Sequence, residues 1–443
     1  MSRSGFNHTY ILGISFCSAL GGYLFGFDFA VIAGALPFLQ KQFGLNDYWA
    51  GLTTAILALG AIVGCLVAGS VSDNYGRRKG LLVAAAIFGL SSLGMAFAPV
   101  RAVFIIARFT AGAGVGMASM LSPMYIAEIA PAHLRGRMVS INQLTIVIGI
   151  LITNVVNYLL RNTGVDAWRW MFGLGVVPSA LFFAGAWWLP ESPRWLAGVG
   201  RHDVARATLG RIGGLAYADG CLADISRHAG NRQRVRYTGV FHKAVLPAVL
   251  VGIGLAVFQQ LCGINVVFNY TTLIFRSIGV AQDGQLMQTI FIGAVNLVFT
   301  LLAMLLVDKL GRKPLMLAGA GGLALLYLVV VRMLAAGSTH VSWYLLSAIA
   351  VYALSLAPVT WVLISEIFPG KVRSAATTVA VVSLWLAYFI LIFTFPILYA
   401  RLKDNTFYIY SGICVLGTLF IALKVKETRG KTLEELGDAI IAH

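Results

Sequence analysis

The chain has 443 residues, 59% of them hydrophobic and 11% charged, with a mean hydropathy of +0.83. A soluble protein carries about 25% charged residues, so an ordinary soluble globule is excluded and length is best counted in membrane spans. The net charge of +16 does not point to nucleic acid, because Lys and Arg gather in short loops and tails and no basic face with interleaved aromatics occurs.

A helix that crosses a bilayer needs about 20 apolar residues. Such stretches are predicted at 9–39, 49–71, 79–98, 101–127, 138–160, 170–189, 243–275, 286–307, 313–335, 342–365, 374–400 and 406–424. The first begins at about Tyr10 and is too long for a signal peptide. It also carries a carboxylate, Asp28, among residues that are otherwise apolar, small or glycine. Burying a bare aspartate there costs on the order of 2.5–3.5 kcal/mol on insertion scales.

The loops set the orientation. "DNYGRRKG" (73–80), "PAHLRGR" (131–137), "DKLGRKP" (308–314) and "PGKVR" (369–373) fall on one side, with the tail "KVKETRGKTLEEL". The hydrophilic segment 190–243 joins them, with nine Lys/Arg against four Asp/Glu, and its "RHDVARATLGRI" has helical spacing. The positive side is cytoplasmic by the positive-inside rule, so both termini face in. Short loops suit a bacterial plasma (inner) membrane.

The two halves repeat one another. "GSVSDNYGRRKGLL" (69–82) matches "MLLVDKLGRKPLML" (304–317), and "YIAEIAPAHLRGR" (125–137) matches "LISEIFPGKVRSA" (363–375). Glu191 of "PESPR" pairs in the same way with Glu427 of "KETRG", at a similar offset. Duplicated six-helix halves mean a site near the bilayer midplane, opened alternately to each side, which is transporter architecture. The expected division is 1–189 for the N-terminal half, 190–242 for cytoplasmic linker helices, 243–424 for the C-terminal half and 425–443 for a cytoplasmic tail.

By these residues the chain resembles the sugar porter family of the major facilitator superfamily. The stretches that carry the resemblance are "DNYGRRK", "RFTAGAGVG", "YIAEIAPAHLRGR", "PESPRWL", "FQQLCGINVVFNY", "VDKLGRK" and "SEIFPGKVR", in the family's order over nearly the whole chain. The "PESPRWL" and "QQLCGIN" pair is the specific part. The resemblance implies an all-α membrane protein of twelve transmembrane helices, the major facilitator fold, acting as a monomer.

Asp28 lies about six residues from the outer end of the first span, and Arg108 about six from the outer end of the fourth. At 1.5 Å per residue both sit about 9 Å below the outer surface, so they should pair. Burial favours a neutral carboxyl and the guanidinium favours a carboxylate. A conformational change that breaks the pair therefore changes proton affinity, as proton coupling requires. A static pair between two helices is the alternative. The resemblance adds that proton symporters carry Asp at this position and uniporters Asn.

A sugar offers hydroxyls that both donate and accept, and Gln and Asn meet both needs without charge. Gln143, Gln259, Gln260, Asn265 and Asn296 are amides in apolar spans. Interhelical glue would explain any one of them; five in a duplicated bundle favour a polyol site, and the resemblance places all five at the family's sugar-binding positions. Trp361, Phe25, Tyr270 and Trp385 are the aromatic candidates, Trp361 by its match to the family's substrate tryptophan. The chain departs from the family at Leu384, where many relatives carry an amide, at Ile150, at Asn269, where a tyrosine is usual, and at Lys426.

Arg77, Glu128, Arg135, Glu191, Arg312, Glu366 and Arg373 recur at the cytoplasmic loop edges of both halves. By resemblance they latch the halves when the site faces outward. Solvated loop charges are the plainer alternative.

These residues predict proton-coupled monosaccharide symport, with facilitative uniport as the other reading. The short tail argues against a sugar sensor. No nucleophile–base pair or metal cluster argues for an enzyme, and no cofactor is expected. Cys17, Cys65, Cys221, Cys262 and Cys414 are scattered and should be free thiols, with no metal site. The expected partners are a monosaccharide, the proton and the lipid bilayer.

Overall fold

Lipid offers no hydrogen bonds to a backbone, so spanning segments satisfy their own N–H and C=O groups by forming helices. The computed structural model describes residues 5–131, 133–229, 242, 245–368, 373–425 and 427, and among them there is no strand. The N-terminal helices are α1 (His8–Phe43), α2 (Asp47–Tyr75), α3 (Arg77–Ala96), α4 (Arg101–Ile129), α5 (Arg135–Leu160), α6 (Ala167–Gly173) and α7 (Val176–Trp188). Two helices follow in the linker, α8 (Pro193–Gly198) and α9 (His202–Ala229), the latter kinked at Gly213 and Gly214. The rest are α10 (Leu246–Leu261), α11 (Ile264–Ser277), α12 (Gln282–Leu310), α13 (Arg312–Ala335), α14 (Val341–Leu354), α15 (Leu356–Glu366), α16 (Arg373–Leu402) and α17 (Thr406–Lys424).

Among the described residues eleven stretches are long and apolar enough to cross a membrane, and the last, Ala375–Lys424, holds both α16 and α17 about a 3₁₀ turn at Lys403–Asn405. The protein is thus an all-α membrane protein with twelve spans, each matching a stretch expected from the sequence to within a few residues.

Three spans are broken. The sixth is α6 plus α7, the seventh α10 plus α11, and the tenth α14 plus α15. Two breaks have one cause. A proline lacks the N–H that would bond the carbonyl four residues back, and its ring crowds that carbonyl. Pro178 stands four residues after Leu174, just past the end of α6, and Pro358 four after Leu354, the last residue of α14. The break in the seventh span has no proline: Cys262 and Gly263 interrupt it, with Gly263 left-handed at φ 87°. Pro37, Pro123 and Pro396 lie inside α1, α4 and α16 without ending them.

Among the described residues the chain divides into two units. The first is drawn from Met1–Asp28, Gly60–Gly149 and Phe172–Arg234, the second from Phe29–Leu59, Ile150–Met171 and Val235–His443. In the first, α2 and α4 touch backbone to backbone: a Cβ on Gly60 would overlap the Phe109 carbonyl, and one on Gly116 the Ala61 carbonyl. In the second, the C-terminal part of α5 lies along α12. Gly293 packs on the Leu151 Cα, Asn154 Nδ2 donates to the Thr289 carbonyl at 2.8 Å, and Arg161 Nε meets Asp283 Oδ1 at 2.6 Å.

Candidate functional site

The charged pair lies in the first unit. Asp28 on α1 is 0% exposed and Arg108 on α4 is 1% exposed. Arg108 Nη1 donates to Asp28 Oδ1 at 3.4 Å, well beyond the 2.7–2.9 Å of a tight charge-assisted bond. The Arg108 guanidinium carbon stands 5.6 Å from the centre of the Phe172 ring. Asp28 Oδ2 and Arg108 Nε have no hydrogen-bond partner among the described residues. The two charges thus meet through one long bond. Such a pair is costly to hold and ready to change state, since each ion needs several good partners to recover its desolvation.

The amide row lies in the second unit. Gln259 and Gln260 are the last polar residues of α10, and Asn265 is on the first turn of α11, so the row runs across the break of the seventh span. Asn265 Nδ2 donates to Gln260 Oε1, and Gln260 Nε2 to Gln259 Oε1 at 3.4 Å. Gln259 Nε2 reaches the carbonyls of Leu356 and Ala357, at 3.4 and 3.3 Å, on the first turn of α15. Counting helical turns from Gln260 to Asn265 does not place the latter, because the helix stops between them. All three are buried, and so are Asn296 on α12 and Trp385 on α16. Among the described residues no hydrogen bond ties Asn296 to the row. Trp361 on α15 is 43% exposed. Tyr270 is buried and its hydroxyl donates to the Ile392 carbonyl at 2.8 Å, which gives it a packing role in this arrangement. Phe25 and Gln143 belong to the first unit and are half-buried.

The loop-edge charges of the two repeats are built on a duplicated cap. Gly76 (φ 100°) and Gly311 (φ 90°) precede α3 and α13 in a conformation that favours glycine. The first N–H groups of a helix lack partners and attract an anion. Glu191 Oε1 accepts from Arg77 N at 2.8 Å and Arg78 N at 3.2 Å. In the repeat, Glu427 accepts from Arg312 N at 3.1 Å and Lys313 N at 3.0 Å. A Cβ on Gly76 would collide with Glu191, and one on Gly311 would come within 3.0 Å of Glu427 Oε2. Burial pushes the Glu191 carboxyl above its ordinary range, against the N–H groups of Ser192, Arg78 and Arg77, which hold it down.

Arg77 also meets Glu128 Oε2 at 3.1 Å and Asp73 Oδ1 at 3.0 Å, and Ser192 Oγ donates to Glu128. Arg77, Glu128 and Glu191 therefore form one cluster. Arg135 has no ion pair among the described residues. The side chains of Glu366 and Arg373 lie outside the described residues, as does Lys426.

Sequence reasoning passed over three features. Glu427 was seen as a repeat partner but not as a cap. The Arg161–Asp283 pair lies at loop edges, where charges are ordinary. Asn269 and Tyr388 are hydrogen-bonded to each other, Tyr388 Oη donating to Asn269 Oδ1 at 3.2 Å. Asn269 offered a signal, an amide four residues after Asn265; Tyr388, in an apolar run, offered none.

Twelve spans, a buried ion pair and a buried amide row have the make-up of a multi-pass membrane transporter. The family profile described as "Sugar (and other) transporter" matches residues 14–439. The D-xylose–proton symporter of Escherichia coli (strain K12) is 37% identical over 484 residues, covering 97% of this chain and 96% of the symporter. The glucose transport protein of Synechocystis sp. is 37% identical over 463 residues, covering 98% of each chain. The inward-open structure of the xylose transporter XylE from E. coli superposes with a TM-score of 0.87 at 36% identity, covering 97% of this chain and 100% of that one. The chain belongs to the sugar (and other) transporter family, the sugar porters of the major facilitator superfamily.

Proposed function

We propose that this protein carries a monosaccharide, a hexose or pentose, into the cell together with a proton by alternating access. The observation that carries the reading is the Asp28–Arg108 pair, fully buried, joined at 3.4 Å, with Asp28 Oδ2 and Arg108 Nε unpartnered among the described residues. A proton taken up by the Asp28 carboxylate removes its negative charge and with it the attraction for Arg108. The helices α1 and α4 are then released from one another, and the pair re-forms when the proton leaves on the other side. Among relatives, the names D-xylose–proton symporter and arabinose–proton symporter support this chemistry.

The sugar is held by Gln259, Gln260, Asn265, Asn296, Trp361 and Trp385, with Phe25, Gln143 and Tyr270 assigned to the same task by the sequence resemblance. The halves 1–189 and 243–424 move as the alternating parts, while 190–242, 425–443 and both termini face the cytoplasm of a plasma membrane. Arg77, Glu128, Arg135, Glu191, Arg312, Glu366 and Arg373 form the cytoplasmic latch. A ligand shifts such an equilibrium only by binding its two states differently.

The test is the external pH of a weakly buffered suspension of energy-depleted cells expressing the protein, on adding each of several sugars. Symport predicts a transient alkalinisation with the transported sugar, lost in Asp28→Asn; in energised cells, where wild type accumulates the sugar, uptake by Asp28→Asn falls to equilibration. Labelled sugar entering with no pH change would make the protein a facilitator and the ion pair a static brace.

A further inference from the structure

The amide row continues past Asn265. Asn269, one turn further along α11, donates through Nδ2 to the Asn265 backbone carbonyl at 2.8 Å and accepts through Oδ1 from Tyr388 Oη at 3.2 Å. Its amide orientation is thereby fixed at both ends, since the donor and acceptor atoms of the side chain face partners of opposite kind. Asn269 is 1% exposed and Tyr388 2% exposed.

The Tyr388 ring is boxed in. Trp385, one turn earlier on α16, meets it edge-on at 5.8 Å, and Phe29 of α1 lies 5.7 Å away. Phe29 also packs against Phe268 at 5.8 Å, beside Asn269 in sequence. In such an apolar surround a hydrogen bond is strong and its loss leaves a costly orphan.

The break at Cys262 and Gly263 gives this bond its consequence. Because α10 and α11 are not one helix, the rotation and height of α11 are not dictated by α10. Side-chain contacts set them, the Asn265–Gln260 bond across the break and the bonds of Asn269 and Tyr270 to α16 among them, and together these decide where Asn265 stands relative to Gln260.

We propose that Tyr388 is a positioning residue that fixes the register of α11 through Asn269, and so selects among monosaccharide epimers by setting the spacing between Asn265 and Gln260. This rests on the reading of the amide row as a monosaccharide site. Neither residue need touch the sugar; the effect passes through Asn265. Discrimination by a site of fixed hydroxyl partners is sensitive to such spacing, because a misplaced partner leaves a buried polar group unpaired.

The test uses the full-length protein in proteoliposomes and a panel of labelled monosaccharides that differ at single ring carbons. Wild type is measured first. Tyr388→Phe keeps the ring and deletes the hydroxyl. It should raise KM for the preferred sugar about tenfold, the order expected for one orphaned buried acceptor, with maximal rate little changed. The ratios of KM between epimers should change as well, which a loss of general stability would not produce. Asn269→Ala breaks the same link from its other end, should give the same change in ratios, and should add little to Tyr388→Phe in the double variant. Wild-type ratios in both single variants, or effects that multiply independently, would overturn the proposal and leave the sugar reading standing. A wild type that carries no monosaccharide in the panel would overturn the sugar reading itself.

Discussion

Glu191 shows how one side chain in this protein is asked to do two opposed things. It gives up much of its hydration to sit over the start of α3, and it gains the N–H groups of Arg77, Arg78 and Ser192 in return. Burial is the larger effect, so its carboxyl is raised above the ordinary value. A carboxyl raised on folding stabilises most below its unfolded value, about 4.3, and that contribution is lost as pH rises through the folded value. Glu191→Gln cannot titrate. The melting temperature of the wild type relative to this variant should therefore rise as pH falls from 7 to about 4 in detergent. A difference that stays flat over that range would mean that the carboxyl is not held high. The charges that matter were legible in the sequence, because Asp28 and Arg108 stand out in apolar spans and equal depth predicts pairing. Tyr388 was not: a tyrosine in an apolar span reads as core or interface until its hydroxyl is seen to donate.

The helices themselves were legible because length and apolarity mark a span whatever it packs against. Their interruptions were legible only in part. Pro358 predicts a disturbed tenth span, and the break falls at Ser355 with α14 ending at Leu354, as the proline's missing N–H requires. The break at Cys262 and Gly263 carries no such signal, because a glycine inside an apolar span is as often there to let two helices approach. Gly60 and Gly116 are of that second kind, each facing a carbonyl of the opposite helix in the α2–α4 contact. Gly60→Leu should therefore prevent recovery of monodisperse protein. Gly60→Ala should lower the melting temperature, at a cost of about 1–3 kcal/mol for overpacking. Gly69→Leu, on the same helix with nothing within 4 Å of its Cβ, serves as the control and should be close to neutral. Equal melting of Gly60→Ala and wild type would show that α2 and α4 can part without penalty.

At the scale of the whole molecule, the duplication fixes which elements answer one another, and the caps at Glu191 and Glu427 carry it into geometry. The contact of α5 with α12 shows what a duplicated architecture can use to hold itself shut. It joins residues from the two sequence repeats in successive layers, and its end layer is the Arg161–Asp283 pair. Arg161 is partly buried, with its guanidinium carbon 3.8 Å from the centre of the Tyr158 ring, whereas the Asp283 side chain is 66% exposed. An exposed pair contributes about 0–1 kcal/mol, too little to determine folding but enough to bias two conformations by up to about fivefold. If this layer is at the outer face, as the positive-inside reading places it, the pair favours the state closed to the outside. Arg161→Asp and Asp283→Arg should then each enlarge the outward-open fraction. The apparent KM for external sugar should fall, because apparent affinity scales with the fraction of protein that is competent to bind. The exchanged pair, carrying both substitutions, should return it toward wild type. The shifts should shrink as salt is raised, since an exposed pair is screened. Single reversals that leave KM unchanged, or a double variant no closer to wild type than either single, would show that the α5–α12 contact is held by its inner layers alone, Asn154 on Thr289 and Gly293 on Leu151.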